Sequence, residues 1–361
     1  MASTTHPDFG PTTEALTVAA AFPTAIKDRT ILITGINKLG IGYTTAEALA
    51  SQSPRLLILA GRSTTKIQEC IDSLKAQYPD VSYRPLQVDL SSQQYVRTAA
   101  TEVLNWSDVP KIDLLINNAG IMNIPTQTLS PDGIELHLAT NHLGHFLLTN
   151  LLMPKILAAA ADSTTSPANS TRIINLSSLA TYVSPLRTTD PNITTPISSL
   201  PDNERPNLAM MRNADLDVND SMTYIPMAAY GQSKTANILF TVGLNERLSK
   251  HGVVSIALHP GEMRTELARS TDQEWYESVH KKQLKMGLMG YKSLGQGAAT
   301  TLVAACDPEL SVGGEGEGKT SFLSDCQVAT KPPAPGYAVD KEIAGKLWEM
   351  SEGWVGEKFE W

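Results

Sequence analysis

The sequence predicts a doubly wound α/β fold, a parallel sheet with helices on both faces, in a single domain. Three observations carry this. From Thr30 onward, short apolar runs alternate with helical patterns, as in repeated βαβ units. A glycine-rich turn joins the first apolar run to the first helical pattern. And 361 residues, 42% of them hydrophobic, can bury one large core.

The elements follow in order. Residues 12–22 predict a short helix inside an N-terminal arm, 1–29, that precedes the first strand. Strands are expected at 31–34, 56–60, 83–88, 113–117, 172–176 and 253–258, with a later one at 320–323. Helical patterns fall at 44–51, 66–77, 91–104, 133–150 and 151–161, and a long one runs from 228 to 250. Two stretches break the rhythm. Residues 160–171 form a surface loop. Residues 179–229, rich in Pro, Ser, Thr, Asn and Asp, form an insertion too long for an ordinary connection.

Composition narrows the function classes. A net charge of −8 argues against a sequence-independent binder of nucleic acid or anionic membrane. Cys70, Cys306 and Cys326 are too scattered for a disulfide framework or a thiolate zinc site, and a reducing, cytoplasmic location is expected. The apolar runs at 15–22 and 146–161 are broken by Pro23 and by Asn150, Pro154 and Lys155, so no membrane span is expected.

The turn Gly35-Ile36-Asn37-Lys38-Leu39-Gly40-Ile41-Gly42 lets the backbone bend tightly and brings a pyrophosphate to a helix N-terminus. A glycine trio alone is also what any tight βα turn shows, but its place between strand and helix favours a dinucleotide. The second strand ends in Ala60-Gly61-Arg62-Ser63, where an NAD-selective site would carry an acid. The Arg62 fork suits the 2′-phosphate of NADP instead, with Lys38 as a second positive charge.

With Val88-Asp89-Leu90, Asn117-Asn118-Ala119-Gly120, Asn141, Ser177-Ser178, Tyr230-Gly231-Gln232-Ser233-Lys234, and Pro260-Gly261 followed by Thr265, the chain resembles the short-chain dehydrogenase/reductase family. The motifs occur in family order over residues 30–323. The strings 141–149 and 229–234 resemble its retinol-dehydrogenase-like branch, including fungal members. The resemblance implies a Rossmann fold and NADP(H) as cofactor. Gly35, Lys38, Leu39, Gly40, Ile41 and Gly42 would cradle it; Asp89 and Leu90 would flank the adenine; Asn117 and Gly120 would line the cleft. Pro260, Gly261, Met263 and Thr265 would close over the nicotinamide, and Tyr230 and Lys234 would touch its ribose. Asn118 would tie strands together rather than meet ligand. Homodimers through the helices 146–161 and 229–250 are a further implication.

The residues argue the chemistry independently. Tyr230 and Lys234 share one helix face, one turn apart, so the ammonium would lower the phenol's pKa. Tyr230 would then donate or accept the proton at a substrate oxygen. Ser178 would polarise that oxygen, with Ser177 as a lesser alternative, and Asn141 would hold a water near Lys234.

Departures from the family pattern are definite. Four residues separate Gly35 from Gly40, where three are usual. The insertion between Ser178 and Tyr230 starts at the edge of the site and reads as a substrate lid or as a partner-binding loop. Its methionines, Met210, Met211, Met222 and Met227, with Ile225, suggest a lipophilic substrate or simply a packed lid. The string 313–320 matches a phosphate-loop pattern letter for letter, yet its setting before a strand and its two glutamates read as an acidic surface loop. His142 and His145 lie on one helix face with no carboxylate beside them, so packing rather than a metal is expected.

The expected function is an NADP(H)-dependent oxidoreductase acting on a carbonyl or alcohol of a lipophilic small molecule, with secondary metabolism as the expected setting. A non-redox isomerase, dehydratase or cyclase on the same scaffold is one alternative. A dinucleotide-sensing binding protein is another.

Overall fold

A strand covered on both faces is shielded from water along its whole length, and residues 30–34 are all buried, with Ile31, Leu32 and Ile33 as the apolar centre. Ile31 and Ile33 enter one core while Leu32 enters the other, as the two-residue period of a strand requires. The computed structural model describes residues 4–162, 170–285, 290–310, 322–330 and 334–361.

The strands are β1 (Thr30–Thr34), β2 (Leu56–Gly61), β3 (Ser82–Gln87), β4 (Leu114–Asn117), β5 (Thr171–Leu176), β6 (Val253–His259), β7 (Phe322–Ser324) and β8 (Gln327–Val328). They form one sheet in the order β3-β2-β1-β4-β5-β6-β7-β8, parallel except for β8. The order reverses between β1 and β4, and a crevice opens there beyond the carboxyl ends of the strands.

The helices are α1 (Ala15–Ala21), α2 (Pro23–Ile26), α3 (Ile41–Ala50), α4 (Thr64–Gln77), α5 (Gln93–Asn105), α6 (Leu136–Leu138), α7 (Gly144–Leu151), α8 (Met153–Ala161), α9 (Leu208–Asn213), α10 (Pro226–Leu248), α11 (Gln273–Lys285), α12 (Leu294–Cys306) and α13 (Lys341–Val355). Helices α1, α3, α4 and α12 pack on one face, and α5, α7, α8, α10 and α13 on the other. The fold is the expected doubly wound, Rossmann-like one.

Several boundaries differ from expectation. The helix foreseen from 133 begins at Leu136, because Gly133 takes φ +78 in the preceding turn. A π-helical turn, Ala139–Leu143, then joins α6 to α7. Helices α11 and α13 had no sequence expectation. Helix α13 carries Gly345 and Gly353, which weaken its local signal, and its stability comes from burying Leu347 and Trp348. The acidic glycine string and the start of the strand expected at 320–323 lie outside the described residues.

The N-terminal arm is fastened to the body. Val18, Ala19, Phe22 and Ile26 join the core that contains α12, and Thr5 N–H donates to Asp307 at 2.8 Å. At the other end, α13 covers α10 and α7: Trp348 meets Phe146 with ring centroids 5.0 Å apart, and Phe359 meets Phe146 at 5.8 Å. Among the described residues no single helix is long and apolar enough to cross a membrane.

The insertion is folded, with a small core of Val183, Ile197, Met211, Val218, Ile225 and Ala228. Arg187, 1% exposed, pairs with Asp190 at 3.6 Å. Glu204 accepts hydrogen bonds from Thr188 and Thr189. Met222 and Met227 pack against this core, so those methionines serve the insertion's own stability, while Met210 stays exposed.

Candidate active site

The crevice at the reversal point is a cleft of about 710 Å³. Its floor is the turn after β1. Gly35 adopts φ +77, and a Cβ there would lie 2.7 Å from Ala119 Cα, so only glycine fits. Gly40 and Ile41 bring the N-terminus of α3 to the wall, where its first N–H groups are free of helical partners. Asn37 Oδ1 and Thr140 Oγ1 belong to residues of the wall and have no hydrogen-bond partner among the described residues. Such orphaned buried atoms fit a polar ligand.

Most of the expected cofactor residues come together here. Gly35, Gly40, Ile41, Arg62, Asp89, Leu90, Gly120 and Thr265 all line the cleft. Gly42 lies just behind, where a Cβ would meet Asn118 Nδ2 at 2.7 Å. Gly144, where a Cβ would lie 2.2 Å from Leu90 O, lets α7 approach the Leu90 wall.

Others are placed elsewhere. Lys38 turns away, its ammonium bonded to Ser73 Oγ and 5.5 Å from the Tyr43 ring centroid, because α4 offers it partners that the cleft does not. Leu39 is 63% exposed and outside the wall. Asn117 points into the core, bonding Asn175 Oδ1 at 2.9 Å and Thr149 Oγ1 at 3.1 Å. The next residue, Asn118, holds the cleft side, as strand alternation requires. It does tie strands, donating to Thr34 O at 2.6 Å, yet it also lines the wall. Pro260, Gly261 and Met263 lie behind Thr265, Gly261 over the Lys292 stem and Met263 against Gly297.

Sequence reasoning missed Asn37, Lys66, Ile121, Thr140, Glu266 and Arg269 in the wall. One signal was available for Lys66. Ser63 caps α4 by accepting from Lys66 N–H at 3.3 Å, and this spacing puts Lys66 in the first turn beside Arg62. Glu266 sits on a short 3₁₀ turn with no periodic signal, and pairs with Lys66 at 2.9 Å. The exposed Arg62 guanidinium has no ion pair among the described residues.

The reactive side chains stand behind Gly120. A methyl added to Gly120 would lie 3.4 Å from Lys234 Nζ and 3.3 Å from Asn141 Oδ1. Helix α10 carries both Tyr230 and Lys234, each 4% exposed. Ser178, just past β5, hydrogen-bonds Tyr230. Ser177 instead donates to Lys234 O at 2.7 Å inside the core, which separates the two serines by role.

The electrostatics depart from the sequence expectation. Burial pushes the Tyr230 phenol up to about 12, although the Ser178 hydrogen bond opposes this. Burial also pushes Lys234 down to about 8. Its ammonium donates to Leu176 O at 3.0 Å and sits 5.7 Å from the Tyr230 ring centroid. Desolvation therefore outweighs charge proximity, and the phenol stands above its ordinary value, not below. Asn141 is fixed in place. Its Oδ1 accepts from Ile121 N–H at 2.8 Å, and its Nδ2 donates to Ile121 O at 3.0 Å and Ser233 Oγ at 2.9 Å. That side chain clamps the backbone at Ile121.

His142 and His145 are buried and hydrogen-bonded, to Ser351 Oγ at 2.8 Å and Thr34 Oγ1 at 2.9 Å respectively.

The chain is similar to known proteins. The short chain dehydrogenase family model matches residues 29–189. Over 253 residues the chain is 40% identical to the oxidoreductase fscI of Fusarium equiseti, covering 70% of this chain and 94% of that one. It is 33% identical over 331 residues to retinol dehydrogenase 13 of Homo sapiens, covering 92% and 86%. An uncharacterized protein from Mycobacterium paratuberculosis aligns at a TM-score of 0.62 and 28% identity, over 95% of this chain and 98% of that one. The NADPH-bound carbonyl reductase from chicken fatty liver shares the fold at a TM-score of 0.52 and 21% identity, over 82% and 96%. Identity at the level of the first two relatives, over most of both chains, marks common descent, and the chain belongs to the short-chain dehydrogenase/reductase family.

Proposed function

We propose that the protein is an NADP(H)-dependent oxidoreductase that interconverts a carbonyl and an alcohol on a lipophilic small molecule. One observation carries the reading: the dinucleotide-sized cleft ends at Gly120, directly against Lys234 and within reach of the Tyr230–Ser178 pair. When bound, the nicotinamide supplies or accepts the hydride. Gly35, Gly40 and the α3 N-terminus would hold its phosphates, and Asn37 and Thr140 would satisfy polar groups along it. Ser178 would donate to the substrate oxygen while Tyr230 hands it a proton. At about 12 the phenol keeps its proton at neutral pH, which favours the reductive direction. The lipophilic substrate rests on the names of relatives such as retinol dehydrogenase 13 rather than on the insertion's methionines. The three free, buried cysteines support a reducing, cytoplasmic setting.

Selectivity for NADP would rest on Arg62. Titration of NADPH and NADH, followed by fluorescence, is expected to show much tighter binding of NADPH. Arg62→Ala should reduce that preference by about 10–100-fold, the worth of a charge-assisted phosphate contact. Equal affinity for both nucleotides in the wild type would refute the cofactor assignment.

The chain would act as a monomer with respect to the helices expected to pair. Its own α13 and Phe359 cover Phe146 on α7 and Phe240 on α10. Light scattering is expected to report the mass of one chain, and a stable dimer would require that another face is used.

A further inference from the structure

Beside the Tyr230 ring lies a pair of groups for which the proposed reaction has no use. Glu135 and His137 are both fully buried, with His137 Nδ1 2.8 Å from Glu135 Oε1. The His137 and Tyr230 rings meet edge to face, centroids 6.3 Å apart. A buried carboxylate is tolerated only when its oxygens are hydrogen-bonded. Here Oε2 accepts from Leu138 N–H at 2.9 Å while Oε1 faces His137.

The far side of the imidazole settles its tautomer. His137 Nε2 lies 3.2 Å from Ile124 N, and a backbone N–H can only donate. Nε2 therefore accepts, so Nδ1 carries the proton and donates to Glu135. Glu135 thus determines which nitrogen is free to hold Ile124.

Ile124 ends a strap, 121–124, that follows Gly120 and leaves the cleft wall after Ile121. Its start is clamped by Asn141 at Ile121. Asn123 takes φ +50, a left-handed conformation that needs outside support, and its Nδ2 donates to Thr271 Oγ1 at 3.3 Å. At the end, Ile124 O accepts from Tyr224 O–H of the insertion at 2.9 Å. The insertion also reaches Glu135 itself, whose N–H donates to Asn192 Oδ1 at 2.8 Å. His137 is where the strap, the insertion's grip and the Tyr230 ring converge.

We propose that Glu135 and His137 are positioning residues: the carboxylate locks the imidazole tautomer, and the imidazole fixes both the 121–124 strap and the edge against which Tyr230 rests. The phenol is thereby aimed at the substrate oxygen. This rests on the reading of Tyr230 as the proton donor and adds what holds it in place.

Glu135→Gln tests the lock with almost no change in shape. An amide offers one acceptor where two donors now point. Either Leu138 N–H loses its partner, or His137 changes tautomer and its Nε2–H opposes Ile124 N–H. His137→Asn keeps a donor toward Glu135 but leaves Ile124 N–H and the Tyr230 edge without support. His137→Gln places an acceptor near Ile124 N–H again.

Two readouts are needed on the full chain. Amide hydrogen exchange of 121–124 should accelerate about tenfold or more in Glu135→Gln and His137→Asn, and recover in His137→Gln. Turnover with NADPH and a carbonyl substrate should show kcat lowered about 10–100-fold in the first two variants, with KM for NADPH nearly unchanged. Wild-type exchange at Ile124 in both Glu135→Gln and His137→Asn would overturn the proposal. So would accelerated exchange with unchanged kcat, or a KM for NADPH that rises in step with the loss. The exchange measurement needs no turnover, so it judges the lock even if Tyr230→Phe shows that Tyr230 is not the acid.

Discussion

Tyr230→Phe is expected to lower carbonyl reduction by about 10²–10⁴-fold, the usual worth of a positioned general acid, while NADPH binding persists. The substitution removes one oxygen from a side chain 4% exposed, so packing on α10 is kept. What disappears is the phenol bonded to Ser178, the group placed to meet the substrate oxygen. Lys234, pushed down to about 8 by burial, is the nearest alternative acid and would account for residual turnover. The wild-type phenol, at about 12, stays protonated through neutral pH. Reduction should therefore be nearly flat in pH on this group's account, whereas oxidation, which needs the phenolate, should quicken as pH rises. Steady-state rates in both directions from pH 6 to 9 check this. A variant that retains turnover would remove Tyr230 from the mechanism.

Acidification is expected to unfold the protein steeply, through three buried histidines. Burial pushes His142 down to about 3, and His145 and His259 each to about 4. Unfolded, each would titrate near 6.5, so between about 6.5 and 4 the unfolded chain binds more protons than the folded one. Stability is then full above about 6.5 and falls as pH falls through that window, at about 3–4 kcal/mol per pH unit if all three protonate only on unfolding. The local bonding explains why His142 and His145 accept no proton in place. Ser351 Oγ donates to Leu347 O at 2.7 Å, so it must accept from His142 Nε2–H, and His142 Nδ1 faces no partner among the described residues. His145 donates from Nδ1 to Asn141 O at 3.0 Å and accepts at Nε2 from Thr34. Thr34 Oγ1 in turn receives Asn118 and Ala119 N–H, so acid at His145 also disturbs the cleft wall. Urea midpoints at pH 7, 6 and 5 measure the slope. A slope below about 1.4 kcal/mol per pH unit, one proton's worth, would show that these histidines titrate inside the folded state.

Local rules carried far into this molecule. The strand runs around Ile31, Leu57 and Ile173, the glycine turn at Gly35, and the helix face shared by Tyr230 and Lys234 were legible because periodicity and spacing act over a few residues. The same rules failed at α13, whose glycines hide a helix stabilised by Trp348 against distant aromatics. They failed again in the insertion, where Arg187, Asp190 and Glu204 build order without any repeating pattern.

The sequence by itself determined the doubly wound frame, the ordered family motifs, and the Ser178, Tyr230 and Lys234 set. Only the tertiary structure decided that Asn118, not Asn117, faces the cleft, that Lys38 turns to Ser73, and that Asn141 grips Ile121. It also decided that the Tyr230 phenol is raised and not lowered, since that depends on how completely distant segments exclude water. Contacts between residues far apart in the chain choose among the partners that a local pattern leaves open.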